Sequence, residues 1–418
     1  MNLPKDGRIV VIDDIPKEGL PLVRALSKGG FPVIYFTEKK EELPETPLSG
    51  IRLVFLDIDL GTGVLNEKNL ISTVISTFKR IINKDNGPFV VIAWTKHEEL
   101  VNKINRALRD DGFQSLIMIS IGKEECMNKE GIYKVPIISN KLGEKLGELK
   151  TFHLFTLWGN LVHEASGKIV TDFSEFYELD GNWNQGMTEI FLKLAKSYAG
   201  RQINASDPEE VIRNALYSFN GAFLDTLESE IRRYEYSPEI NMSFDSLETG
   251  VDPKIVGDIN SKLLLVNGTE NISLPGNIYE NLNIENVNVS NLFNGRLDQY
   301  KERKKLLSGI KHIFLEVSPV CDYAQKKWQV SRLLPGVMWP HEFEKKINKK
   351  AEYVYKSPLI KSGDKLYYLV FDLRRFTSIS FDKIQEITPL FRARQELLVD
   401  IQSHLARHIN RPGVMFVD

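Results

Sequence analysis

Five residues stand out because their types and places suit phosphate chemistry. Three early apolar runs end in polar side chains: residues 8–12 lead into Asp13 and Asp14, residues 51–56 into Asp57, and residues 89–94 into Thr95. A further run, residues 116–121, leads into Gly122 and Lys123. Carboxylates gathered from neighbouring strand ends make an oxygen-rich pocket suited to a hard divalent cation such as magnesium, which takes one or two carboxylates together with water and phosphate oxygens. With Asp13, Asp14 and Asp57 as metal ligands, Asp57 also has the character of a nucleophile that attacks phosphorus and becomes an aspartyl phosphate. Thr95 would hydrogen-bond a phosphoryl oxygen, and Lys123 would balance its charge. The plainer reading of the same acids is that each caps a helix at a strand-to-helix turn, where Asp is common.

The elements that must position these residues alternate. Apolar, β-branched runs at 8–12, 32–36, 51–56, 89–94 and 116–121 read as strands. Helical spacing appears at 20–27, 70–82 and 98–108 between them. Strands that are apolar throughout and separated by helices imply a parallel sheet covered on both faces, a doubly wound α/β domain. In such a sheet ligands bind beyond the carboxyl ends of the strands, where the five residues lie.

The set and its order resemble the receiver domain of response regulators. The matching pieces are VIDD at 11–14, LVFLD at 53–57, VIAWT at 91–95 and SIGK at 120–123, all within about the first 125 residues. The resemblance implies a receiver or flavodoxin-like strand order, 2-1-3-4-5, with Asp57 as phosphoacceptor, Thr95 and Lys123 as its partners, and Mg2+ on Asp13, Asp14 and Asp57. Three departures stand out: the stretch from Asp57 to Thr95 is long, Asp59 is an extra acid, and no Pro follows Lys123. A second resemblance competes. FLDIDLGT at 55–62 is similar to the opening motif of haloacid-dehalogenase-type phosphatases, which would make the protein a magnesium-dependent phosphatase or phosphotransfer enzyme using Asp57 and Asp59. In that motif the Thr comes four residues after the first Asp, where this sequence has Gly61, with Thr62 one later. The early position of the acidic pair favours the receiver order.

Beyond residue 135 the pattern changes. Residues 142–165, 187–199 and 208–233 have helical spacing, with Asp207-Pro208 as a start signal. Residues 237–294 are rich in Asn, Gly and Ser and read as loops and short strands. Strand-like runs follow at 313–317, 351–355 and 366–371, and residues 387–409 read as a closing amphipathic helix. The expectation is three parts: a receiver-like domain at 1–135, a helical domain at 136–236, and an α+β domain at 237–418.

Length and composition agree with more than one domain, since the 418 residues are 42% hydrophobic and 26% charged. No run reaches the roughly 18 apolar residues of a membrane span, and the start of the chain lacks the layout of a secretion signal, so a cytoplasmic protein without membrane contact is expected. The two cysteines, Cys126 and Cys321, are too few for a disulfide framework or a cysteine-based zinc site. Cys321 reads as a small buried residue, with a thiol activated by His312, His404 or His408 as the alternative. Trp158, Trp183 and Trp328 are expected to fill cores.

The net charge of -2 conceals a split: residues 301–418 carry 22 Lys+Arg against 13 Asp+Glu, whereas residues 1–300 carry 32 against 43. A basic end of this kind docks on the acidic part of the same chain or on a charged partner, or meets nucleic acid. Arg392, Arg394, Arg407 and Arg411, with His404 and His408, are expected to put a basic edge on the last helix, where nucleic acid could bind. The chain as a whole is also similar to bacterial proteins that join a divergent receiver domain to a long second region and are encoded with ATPase or kinase-like partners in anti-phage defence. The pieces behind this are the receiver-like segment, LEVSPVCDYAQKK at 315–327 and RPGVMFVD at 411–418. The resemblance implies a signalling or adaptor protein taking input from such a partner, with a phosphatase, a non-phosphorylated scaffold and a nucleic-acid-binding effector as alternatives.

Overall fold

The computed structural model describes residues 8–61, 67–113, 115–147, 149–175, 183–200, 203–235, 250–267, 273–280, 282 and 284–410. The chain groups into two compact units, residues 1–180 with 219–244, and residues 181–218 with 245–418.

The first unit runs β1 (Ile9–Ile12), α1 (Pro16–Lys28), β2 (Val33–Phe36), β3 (Leu53–Leu56), α2 (Glu67–Ile81), β4 (Phe89–Thr95), α3 (Val101–Asp110), β5 (Ser115–Gly122), α4 (Val135–Gly147) and α5 (Lys150–Ser174). Its five strands are parallel, in the order β2-β1-β3-β4-β5. Alternate residues of each strand serve opposite layers. Val10, Ile12, Val54, Leu56, Val91 and Ala93 pack with α2 and α3, whereas Ile9, Val11, Leu53, Phe55, Val90 and Ile92 pack with α1 and α4. Burial on both faces is why these strands read as unbroken apolar runs instead of alternating ones.

The helical stretch expected over 142–165 is two helices, because the chain leaves helical geometry at Leu149 (φ -95°, ψ 53°). The first of them, α4, puts Ile138, Leu142 and Leu146 into the sheet's own core. Helices α6 (Trp183–Ala199) and α7 (Pro208–Arg233) follow, and the division between the units falls inside α7. In the first unit Leu157, Leu161 and Ala165 of α5 bury against Leu227 of α7. In the second, Ala195 and Ala199 of α6 bury against Ala215 of α7. The helical middle is therefore shared between two cores instead of forming the separate domain expected at 136–236. Asp207 caps α7 as its sequence suggests, its Oδ1 accepting from the amides of Glu209 and Glu210 at 3.1 Å each.

The rest of the second unit comprises α8 (Pro253–Leu264), β6 (Leu265–Val266), β7 (Asn277–Glu280), α9 (Val289–Leu292), α10 (Arg303–Gly309), β8 (Lys311–Glu316), α11 (Val320–Ala324), β9 (Val330–Pro340), β10 (Val354–Lys356), β11 (Ile360–Ser362), β12 (Lys365–Asp372), β13 (Thr377–Ser380), α12 (Phe381–Gln385), β14 (Phe391–Ala393) and α13 (Gln395–Ile409). The strands form an antiparallel sheet with the path β10-β12-β9-β8-β7-β14-β6, to which β11 and β13 add at β12 and β9. Leu397, Leu398, Ile401 and Leu405 of α13 close its core against Ile278, Ile313 and Leu315.

Three expectations change here. Helix α8 lies where loops and short strands were read, started by Asp252, whose side chain accepts from the Lys254 amide. Strand β9 was not anticipated, since Pro335 and Gly336 within it weaken the local strand signal. The closing helix begins at Gln395, not near residue 387, because residues 391–393 pair with β6 and β7 as β14. Among the described residues no helix is long and apolar enough to cross a membrane.

Candidate functional site

Parallel pairing brings the sequence-selected residues to one edge. Ile12 pairs with Leu56 across β1 and β3, so Asp13 and Asp57 leave neighbouring strands in step. On the other side Leu56 pairs with Ala93, and Thr95 at the end of β4 pairs with Gly122, immediately before Lys123. The order reverses at β1, which makes the β1/β3 edge the topological switch point where open α/β sheets take their ligands.

Lys123 is the hub. Its side chain is 1% exposed, and its Nζ lies 2.6 Å from Asp57 Oδ2, 2.9 Å from Asp13 Oδ2 and 2.7 Å from Glu18 Oε2. Burial alone would lower the lysine's pKa, but Asp57 and Asp13 reverse this and hold the ammonium above its usual range. Burial pushes the Asp13 carboxyl up to about 7 against the opposing pull of Lys123, with the Asp57 charge adding to the rise. Burial raises Asp57 as well, again opposed by Lys123. One ammonium is thus shared by more carboxylates than it can neutralise, which is an arrangement typical of functional sites.

The remaining acids are set by the loops. Asp14 accepts from the Gly61 amide at 3.0 Å, and Gly61 sits at φ +103°, a conformation glycine adopts without penalty. The other Asp14 oxygen is buried and has no hydrogen-bond partner among the described residues. Oxygens of Asp13, Asp14 and Asp57 lie within 4.8 Å of one another. An orphaned buried oxygen beside two further carboxylates fits a hard divalent cation, with these three residues as its ligands. Asp59 does not join them. Its amide donates to Asp57 Oδ1, while its half-exposed carboxylate points to His97 at 3.8 Å. Thr62 lies outside the described residues. Thr95 is fully buried, and its Oγ1 accepts from the His97 amide at 3.0 Å, so it shapes the turn that follows β4.

Sequence reasoning missed Glu18 and Tyr35. Glu18, in the first turn of α1, bridges Lys123 and Lys96, the latter at 2.6 Å. Burial would raise the Glu18 pKa, but hydrogen bonds from Lys123 and Lys96 outweigh it and hold the carboxyl below its usual value. Gly19 permits the approach, because a Cβ there would stand 2.9 Å from Asp13 Cβ and 2.7 Å from the Tyr35 ring. Tyr35 donates its hydroxyl to the Asp13 carbonyl. The only local signal for Glu18 was an acid in the first turn of a helix after β1, which by itself reads as a partner for the helix dipole.

The other sequence candidates do not converge. Arg392 lies within β14 and Arg394 just before α13, where its Nε donates to the Lys262 carbonyl, so neither shares the helical face of Arg407. Arg407 is exposed on α13, and Arg411 lies outside the described residues, as does the rest of RPGVMFVD. Cys321 is exposed, not buried, and its sulfur lies 3.9 Å from Asp322 Oδ1. Trp158 and Trp183 are exposed, whereas Trp328 is buried against Phe381.

No protein-family model matches this sequence. No curated protein matches it either. Among solved structures, an imine reductase from Myxococcus stipitatus in complex with NADP+ is similar at 12% identity, over 54% of this chain and 94% of that one, with a TM-score of 0.18. At that score the likeness bears on neither fold nor chemistry.

Proposed function

We propose that this chain is a signalling or adaptor protein whose first unit accepts a phosphoryl group on Asp57, in the manner of a receiver domain, from a kinase-like or ATPase partner. The observation that carries the reading is the contact of Lys123 Nζ with Asp57 Oδ2 at 2.6 Å, beside Asp13 and Asp14 at the carboxyl edge of a parallel sheet. An Asp57 oxygen forms the new bond to phosphorus while the donor's phosphorus–oxygen or phosphorus–nitrogen bond breaks, its electron pair leaving with the donor. When bound, Mg2+ on Asp13, Asp14 and Asp57 supplies positive charge to the phosphoryl oxygens.

Lys123 already stands where the phosphoryl charge develops. On transfer it exchanges a carboxylate partner for a phosphoryl oxygen, a charge-assisted hydrogen bond of the stronger kind. Glu18 then keeps Lys96 while its hold on Lys123 weakens, so the loop after β4, which Thr95 also shapes, changes its tether. That loop is the switch element of the reading. A setting in bacterial anti-phage defence rests on the resemblance of the receiver-like segment and of residues 315–327 and 411–418 alone.

The test is to incubate the full chain with acetyl phosphate and Mg2+ and to record intact mass for the wild type and Asp57→Asn. One phosphoryl group on the wild type and none on the variant is the expected result. Steady phosphate release without an adduct would replace this reading with the phosphatase, and no reaction at all would leave a scaffold. The outward position of Asp59 weighs against the phosphatase.

A further inference from the structure

We infer that the second unit carries a nucleic-acid-binding surface on α10 and the turn after β9, apart from Arg407 of the closing helix. Residues 301–311 and 341–350 together hold nine Lys and Arg against three Glu, in a chain whose net charge is -2. Two short segments, about forty residues apart in sequence, therefore concentrate most of the positive excess of the basic end.

The fold brings them side by side. Lys305 pairs with Glu342 at 2.9 Å, the Asn294 amide donates to the Lys346 carbonyl at 2.7 Å, and Lys346 Nζ stands 5.0 Å from the centre of the Tyr300 ring. Beneath both lie Leu297, Leu306, Phe343 and Ile347 in one buried cluster, so the charges are displayed on a packed base. Lys305 and Lys349 have acidic partners, Glu342 and Glu344. Lys301, Arg303, Lys304, Lys345, Lys346 and Lys350 have no acidic partner among the described residues, and all but the half-buried Lys346 are exposed. Helix stability does not account for the charges, because Arg303 and Lys304 open α10, the end at which a helix dipole disfavours cations.

Unneutralised like charges on a fixed base attract a polyanion, and mobile lysines suit a phosphate backbone recognised without regard to sequence. Tyr300, held under Lys346, adds a ring of the kind on which a base stacks. A bilayer is the poorer match, since Leu307, 37% exposed, is the large apolar side chain these segments leave open, whereas membrane-surface helices insert a broad apolar face.

The experiment is fluorescence anisotropy of the full chain with a labelled DNA duplex and a labelled single-stranded RNA, at about 50 mM and about 200 mM salt. Wild type should bind at the lower salt and weaken about a hundredfold at the higher, as expected for four or five neutralised phosphates. Lys301→Glu/Lys304→Glu and Lys345→Glu/Lys350→Glu should each weaken binding about tenfold or more, while Arg407→Glu, elsewhere on the unit, leaves it unchanged. All these positions are exposed, and unchanged thermal melting confirms that the variants fold. The inference is overturned if wild type does not bind at low salt, if Arg407→Glu weakens binding as much as the pairs do, or if phosphatidylserine vesicles capture the protein while both nucleic acids fail.

Discussion

Each unit buries carboxylates in its core, and the two solve the problem differently. In the first unit Asp13, Asp57 and Glu18 converge on the single ammonium of Lys123, with Asp14 alongside keeping a buried oxygen unpaired. In the second, Glu316 at the end of β8 is fully buried and takes three hydrogen bonds from its own surroundings. The Ser318 hydroxyl donates to Oε1 at 2.5 Å, the Arg332 amide to Oε1 at 3.0 Å, and the Ser318 amide to Oε2 at 3.1 Å. Burial lifts Glu316 to about 7 even so, with these bonds pulling the other way. The first arrangement has acid in excess and an acceptor to spare, an oxygen set that suits a cation. The second has each carboxylate oxygen engaged, and ties the turn at residues 317–319 to β9. A buried carboxylate therefore has an oxygen free for a ligand only where its own partners fall short.

Breaking the first arrangement at its hub should have the largest effect. Lys123→Met strands Asp13 and Asp57 in the core without a counter-charge, and should cost about 3–5 kcal/mol in urea unfolding. A change near zero would mean that the acids are not held by the lysine. Glu316→Ala comes next, leaving three donors without an acceptor at a cost of about 2–4 kcal/mol by the same measurement. A cost above that of Lys123→Met would invert the comparison.

Burial lifts Asp13 and Glu316 alike to about 7, so both centres lose stability over the same pH range and a variant is needed to separate them. Glu316 binds its proton more tightly folded, with a pKa of about 7, than unfolded, where it is near 4.5. Its contribution to stability is therefore full below about pH 4.5 and lost as pH rises through 7, amounting to about 3 kcal/mol. Melting of the wild type should fall between about pH 5 and pH 7.5, and Glu316→Gln should lessen that fall, leaving the share that belongs to Asp13. An unchanged slope in the variant would assign the effect to the first unit. The smallest expected change is Glu18→Gln, where a 16% exposed carboxylate bridges two lysines. It should cost about 0.5–1 kcal/mol and increase hydrogen exchange at the amides of residues 96–100. Unaltered exchange there would show that the Lys96 bridge does not restrain the loop.

Much of the first unit was legible locally. Five apolar runs separated by helical spacing identify a parallel sheet covered on both faces, because a strand buried twice has no polar side, and the strand ends name Asp13, Asp14, Asp57, Thr95 and Lys123 as neighbours. The second unit was harder to read, since antiparallel pairing let strands of three residues form, and let Pro335 and Gly336 sit inside β9. Such segments carry little propensity of their own and become strands through their partners.

The sequence by itself determined the doubly wound sheet and the residues at its carboxyl edge, since both follow from periodicity and from the geometry of parallel strands. Only the tertiary structure decided what those residues do to one another. Glu18 reaches Lys123 across 105 positions of sequence, Asp59 turns outward from the same loop that holds Asp57, and the basic surface forms from two segments that share a core but no local pattern. Charge acts through space and through burial, and neither is written along the chain.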